Sequence, residues 1–313
     1  MILIDFLDDW IDNYHKYLVK HQTYVRYKSN INNYIRPSPL ARMEIGDITR
    51  KDVQQFVNNM KLLTGRKTGK PLAPGTINNT YVVLQCAFNH AEEYDLISRN
   101  PCQKIRRIPV LQEDKNAKCF TLAEQRKIEQ FIDSAKNAEY YCFILDLYTG
   151  LRIGELCALR WTDIDFSSKT LYVNNAVYSS TNNEGRWELI TDTHKSRTSV
   201  RDIPLPQHIV TMLDKLWRHS KSEFVCSKAD GTRITPWTCR NTYERMLKKL
   251  GMRHLNFHCL RHTFATRAIE NGMDFKTLSV ILGHASPSIT MNIYTHSTEE
   301  HKRGMMNLMK RVV

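Results

Sequence analysis

Nowhere in the 313 residues do eighteen apolar side chains follow one another, so no segment reads as a membrane-crossing helix. No C-x-x-C occurs either: the eight cysteines, at 86, 102, 119, 142, 157, 226, 239 and 259, stand singly and mostly among apolar neighbours. That speaks against a disulfide framework and for small core residues in a reducing cytoplasm. The first residues, MILIDFLDDWIDNYHKYL, have no basic flank ahead of an apolar stretch and no small-residue cleavage pattern, which sets aside a secretory signal. H-E-x-x-H, the helical pairing of many zinc sites, is also missing.

What the chain does have is positive charge. Its formal net charge is +13 and its pI about 9.3. Lys and Arg outnumber Asp and Glu by 18 to 12 in residues 1–118 and by 27 to 20 in residues 119–313, so the excess is spread over both halves. A polyanion touching both halves would account for this, DNA first among them; the plainer reading is a basic surface that aids solubility. With 42% hydrophobic and 25% charged residues and a mean hydropathy of −0.46, the composition is that of a soluble globular protein. At this length, two compact units are expected.

Periodicity divides the chain the same way. Phe6, Leu7, Trp10, Ile11, Tyr14, Tyr17 and Leu18 recur at helical spacing, as do Tyr24, Tyr27, Ile31 and Tyr34. A third helix opens at ITRKDVQQF, where Thr49 and Asp52 have capping-box spacing, and a fourth runs from Thr76 to Tyr94 after the basic, Gly-rich TGRKTGKPLAPG. Residues 99–118 lose periodicity and read as a linker. The expected layout is a helical domain over 1–106, a linker over 107–118, a second domain over 119–298 and a tail over 299–313. In the second domain Thr121 and Glu124 cap a helix, AEYYCFILDLYTG and LRIGELCALRW read as core helices, and TLYVNNAVY, RWELITDT and SVRDIPLP read as strands of a small antiparallel sheet. Helices resume at 206–219, 236–250 and 260–270.

Several residues stand out against this layout. Arg152, between Leu151 and Ile153 in a segment read as a buried helix, must pair with Glu155 or face a ligand, because an unpaired buried guanidinium is costly. Lys195 falls in the polar THKSRTSVR turn between two strands. It is either plain solvated surface or an ammonium able to protonate a leaving oxygen. His258 and Arg261, three apart, would face one point and offer a donor fork plus an imidazole to a phosphate. The rival is zinc on His254, His258 and His262, disfavoured by the cation Arg261 among them. Gly283 can end a helix, with His284 at an exposed corner, and Ser286 and Pro287 open the next, which carries Tyr294.

Taken in order, Arg152, Lys195, His258-x-x-Arg261, His284 and Tyr294 resemble the signature of the tyrosine recombinases, the phage and transposon integrases. The resemblance spans TGLRIGEL, HCLRHTFAT, LGH and IYTH and extends over nearly the whole chain. It implies a mainly α fold with a small antiparallel β-sheet, a helical core-binding domain and a mixed α/β catalytic domain closing as a clamp around DNA. It further implies that Tyr294 is the nucleophile, that Arg152, Lys195, His258, Arg261 and His284 complete the catalytic set, and that Glu155 supports them. Neither metal nor cofactor is implied. The implied partners are double-stranded recombination sites and a homo-tetramer formed on them, with the tail docking on a neighbour; an excisionase or a DNA-bending protein is left open. Phosphate contacts are expected from Arg106 and Arg107 and from Arg66, Lys67 and Lys70, and base contacts from Lys28, Asn78 and Asn79. Many members carry a further arm-binding domain ahead of the core-binding helices, whereas this chain opens directly on them, as either a shorter subgroup or a truncated chain would, so contacts to distant accessory sites are left open. A type IB topoisomerase, a regulator with the fold but no catalysis, and a zinc nuclease are the alternatives.

Overall fold

The computed structural model describes residues 1–65, 69–109, 119–135, 138–181, 187–193, 200–284, 286–294 and 306. Two compact units emerge, Met1–Gln112 and Glu113–Val313. Among the described residues no helix is long and apolar enough to cross a membrane.

In the first unit α1 (Leu3–Asp9) runs through a widened π-type segment, Trp10–His15, into α2 (Lys16–Leu18). This corrects the expected face. Phe6, Leu7, Trp10 and Ile11 are buried, but Tyr14, Tyr17 and Leu18 are exposed. Five-residue hydrogen bonding adds a residue to the turn and rotates everything beyond it off the 3.6-residue stripe. The next helices are α3 (His21–Asn30), α4 (Arg50–Asn59) and α5 (Pro74–Glu93). The Thr49 capping box forms as expected: Thr49 Oγ1 accepts from Asp52 N at 3.4 Å, and the Asp52 carboxylate accepts from Thr49 N at 2.9 Å. Ile31, Ile35, Val53, Val57, Leu84 and Phe88 close the core.

The second unit is built around α7 (Ala138–Thr149), which follows α6 (Leu122–Ala135) and leads into the short α8 (Ile153–Ala158). Next come β1 (Ile164–Asp165), β2 (Thr170–Val173), β3 (Asn175–Thr181), β4 (Trp187–Thr193) and β5 (Arg201–Pro204), followed by α9 (Gln207–His219), α10 (Pro236–Lys249), α11 (His258–Glu270), α12 (Phe275–Leu282) and α13 (Pro287–Tyr294). Phe143 of α7, Tyr243 of α10, Phe257 and Leu260 share one buried cluster, so α10 and α11 lie against α7.

The strands differ from expectation in one respect. TLYVNNAVY is two strands rather than one, and among the described residues they belong to different sheets: β2 sits between β1 and β5, whereas β3 pairs with β4, Asn175 opposite Thr193 and Thr181 opposite Trp187. Of the THKSRTSVR segment, which follows β4 and leads into β5, residues 194–199 lie outside the described residues, and with them the expected turn. Lys195 itself lies outside the described residues.

Candidate active site

The site is organised by the end of α12. Asp274 caps its start, accepting from Lys276 N and Thr277 N at 2.9 Å each. At the other end Gly283 adopts φ 63°, ψ 47°, a left-handed conformation that glycine enters without a Cβ penalty. Gly283 N then bonds Val280 O and His284 N bonds Ser279 O, both at 3.0 Å. The turn leaves the next three carbonyls, of Ile281, Leu282 and Gly283, without intrahelical partners.

Three arginines from three separate elements take those carbonyls in order. Arg201 Nε donates to Ile281 O at 2.6 Å, Arg261 Nη2 to Leu282 O at 2.7 Å, and Arg152 Nη2 to Gly283 O at 2.9 Å. The negative end of the helix dipole favours cations there. Arg261 is anchored a second time, by Nη1 to Gly150 O at 2.7 Å, and is almost wholly buried. Burial and the neighbouring Arg152 lower it to about 10, which leaves it charged at neutral pH.

Arg152 lies just before α8 rather than inside a helix: it is the residue that caps α8, with extended backbone at φ −77°, ψ 148°. Its side chain keeps 41% of its exposure while Nη1 pairs with Glu155 Oε1 at 2.8 Å. The pairing with Glu155 expected from sequence is present, and part of the guanidinium stays exposed. Glu155 is buried and also receives Arg201 Nη2 at 2.8 Å and Nη1 at 3.1 Å. Burial alone would raise its carboxyl, but Arg201 and Arg152 hold it down to about 2.

A second carboxyl behaves oppositely. Asp146 of α7 is fully buried, among the described residues neither oxygen has a hydrogen-bond partner, and burial outweighs nearby Arg261 to push its pKa well above the usual range. Three guanidiniums therefore meet one ionised carboxylate, leaving surplus positive charge that suits an anion.

His258 is the first residue of α11 and is exposed; its ring meets His262 edge to face at 4.7 Å. The protein around the ring, then Arg261 and Arg152, lower its pKa. His284 is half-buried rather than at an exposed corner, with Nδ1 2.8 Å from Thr290 Oγ1 of α13. Partial burial and the arginines bring it down to about 4. His254 precedes α11, so the helical spacing that suggested three histidines on one face does not apply; its ring stands 4.0 Å from Glu244. Tyr294 is the last residue of α13, and its side chain lies outside the described residues.

Sequence reasoning missed Arg201 and Asp146. For Arg201 the signal was the alternation in RDIP, which puts Arg201 and Ile203 on the buried face. Asp146 stands out only as an acid between Leu145 and Leu147 in an apolar helix.

The expected DNA contacts fall apart by position. Lys28 binds Asp12, at 2.9 Å to either oxygen, and Tyr24 Oη at 3.0 Å. Asn78 donates to Ile108 O at 2.9 Å and accepts from Ile108 N at 3.1 Å, so both ends of its amide fasten the chain that follows the helices. Gln54 holds the backbone of Arg106 likewise. The Arg107 guanidinium lies 5.3 Å from the Tyr81 ring centroid. Asn79, Lys70 and Arg106 are exposed; Arg66 and Lys67 lie outside the described residues.

Comparison with known proteins agrees with this arrangement. The Phage integrase family profile matches residues 119–301, and the Phage integrase N-terminal SAM-like domain matches residues 3–61. A tyrosine recombinase XerC-like protein of Caldanaerobacter subterraneus subsp. tengcongensis is 31% identical over 95% of this chain and 80% of its own. The transposase of transposon Tn916 from Enterococcus faecalis is 24% identical over 97% of this chain and 80% of its own. Among solved structures, the Tn1549 transposon integrase in complex with a circular intermediate DNA superposes with TM-score 0.82 at 25% identity, covering 98% of this chain and 99% of that one. A lambda integrase dimer bound to a core site shares the fold, with TM-score 0.69 at 23% identity over 94% of this chain and 77% of that one. With residues 119–301, more than half its length, matched by the Phage integrase family profile, and with a tyrosine recombinase relative 31% identical over 95% of its length, the chain belongs to the phage integrase family of tyrosine recombinases.

Proposed function

We propose that this recombinase cuts and rejoins double-stranded DNA at the ends of a mobile element, integrating and excising it through a 3′-phosphotyrosyl intermediate. In the proposed step the Tyr294 oxygen attacks the scissile phosphorus, the P–O bond to the 5′-oxygen breaks, and a free 5′-hydroxyl remains. Because the covalent link retains the energy of the broken ester, a second 5′-hydroxyl reverses the attack without ATP. Arg152 and Arg261 would bind the non-bridging oxygens, with the greatest effect where charge develops in the transition state. Arg152 keeps part of its side chain exposed, and buried Arg261 is fixed by the carbonyls of Gly150 and Leu282.

A phenol with a pKa near 10 needs a base or a cationic site. His258 is proposed as the base: burial, then the nearby arginines, lower its pKa and favour the neutral imidazole, the form able to accept a proton. Lys195 would protonate the leaving 5′-oxygen. His284, neutral for the same reason, would donate from Nε2 to a non-bridging oxygen when Thr290 donates to Nδ1.

The observation that carries this reading is the row of three arginines on consecutive carbonyls of α12 with a single ionised carboxylate among them. Strand exchange at paired sites calls for four protomers, and the tail over 299–313, with Met305, Met306, Leu308, Met309 and Val312 as its apolar stripe, is proposed to dock on a neighbour. Apart from Met306, which is exposed, these residues lie outside the described ones. Such an enzyme acts in the cytoplasm of a bacterium or phage host. The test is recombination of paired sites by the full chain and by a chain lacking 299–313: loss of recombination with DNA binding kept is expected, and retained recombination would remove the docking proposal.

A further inference from the structure

We infer that Arg201 is a positioning residue for the cleavage step, resting on the proposed function above: it fixes the Arg152 guanidinium through Glu155 while tying β5 to the end of α12. The geometry is specific. Each nitrogen of the buried Arg201 fork has a partner, Nε on Ile281 O and the two terminal nitrogens on the two oxygens of Glu155. Glu155 in turn holds Arg152 twice, at its backbone N at 2.9 Å and at Nη1 at 2.8 Å.

Arg201 does not itself reach outward. Its side chain keeps 3% of its exposure against 41% for Arg152. A buried carboxylate shared by two arginines distributes its charge between them. With Arg201 saturating one side of Glu155, the carboxylate remains ionised and in one orientation, and Arg152 is left with a fixed direction and unsatisfied positive charge for phosphate. The three-carbonyl row sets the spacing of the arginines, because Ile281, Leu282 and Gly283 are consecutive and their backbone is locked by the left-handed Gly283. Lysine could not reproduce this: an ammonium lacks the planar fork that serves a carboxylate and a carbonyl together.

The test uses the full chain and a nicked duplex built from the element's ends, with either a phosphodiester or a methylphosphonate at the cut. Adduct formation is followed in a single turnover at saturating protein. Misplacing Arg152 matters most when a charged non-bridging oxygen must be neutralised, and a methylphosphonate has lost that charge. Arg201→Lys is expected to slow the phosphodiester about 30-fold or more and the methylphosphonate about threefold or less, the pattern also expected of Arg152→Ala, with DNA affinity unchanged. Equal slowing on both substrates would mean a merely structural role and overturn the inference, as would no slowing at all. If Arg201→Lys does not fold, Glu155→Gln carries the same expectation. Absence of any wild-type adduct would instead strike at the cleavage reading itself.

Discussion

Burial raises the Asp146 carboxyl more strongly than Arg261 lowers it, and among the described residues neither oxygen has a hydrogen-bond partner. Its folded pKa is raised, so the native state holds a proton that the unfolded chain releases, and this contribution to stability is full below about pH 3.8 and declines as pH rises. Asp146→Asn, which needs no proton, is expected to raise unfolding free energy at pH 7 by roughly 1–3 kcal/mol and to change little near pH 3. Denaturant titrations at the two pH values check this, and a loss of stability at pH 7 would contradict it. His284 has the opposite sign. Its folded pKa of about 4 lies below the ordinary 6.5, so the unfolded chain takes up the proton first and stability is lost as pH falls through that window. Melting temperatures between pH 7 and 4 should fall less steeply for His284→Asn than for the wild type; equal slopes would exclude His284 as the cause. Motif order named six residues; of these the structure gathers Arg152, Arg261 and His284 at the end of α12, while Lys195 and the Tyr294 side chain lie outside the described residues. Arg201 and Asp146 were not named, because a charged residue in an apolar segment is noticed only once its neighbours are known.

Among the elements, α8 packs closely against β3. A Cβ at Gly154 would stand 2.6 Å from the carbonyl oxygen of Val177 in β3, and backbone cannot yield as a flexible side chain does. Gly154→Ala is therefore expected to cost about 1–3 kcal/mol and to slow cleavage by moving the helix that carries Glu155. Unfolding and adduct rates measured together test this, and an unchanged adduct rate would show that α8 tolerates displacement. Capping signals such as Thr49 with Asp52 were readable locally, since both partners lie within one turn. The division of TLYVNNAVY between two sheets was not, because strand pairing depends on partners far along the chain. The π-type segment at Trp10–His15 was equally hidden, and it alone misplaced Tyr14, Tyr17 and Leu18.

For the whole molecule, the net charge of +13 divided between both halves pointed from the sequence to a polyanionic partner, and the chain forms two compact units, Met1–Gln112 and Glu113–Val313. Charge reversal at Arg66, Lys67 and Lys70 together is expected to weaken DNA binding and to make the slope of log affinity against log salt shallower by about 2–3, since each phosphate contact contributes about 0.9. An unchanged slope would exclude that loop. The central claim is covalent chemistry at Tyr294 without metal. Its most direct measurement is incubation of the full chain, in EDTA, with a nicked suicide duplex from the element's ends, beside Tyr294→Phe, followed by a search for an SDS-resistant protein–DNA adduct. The recombinase reading expects an adduct in the wild type that disappears in Tyr294→Phe; DNA bound with no adduct, or an adduct that survives the substitution, would contradict it.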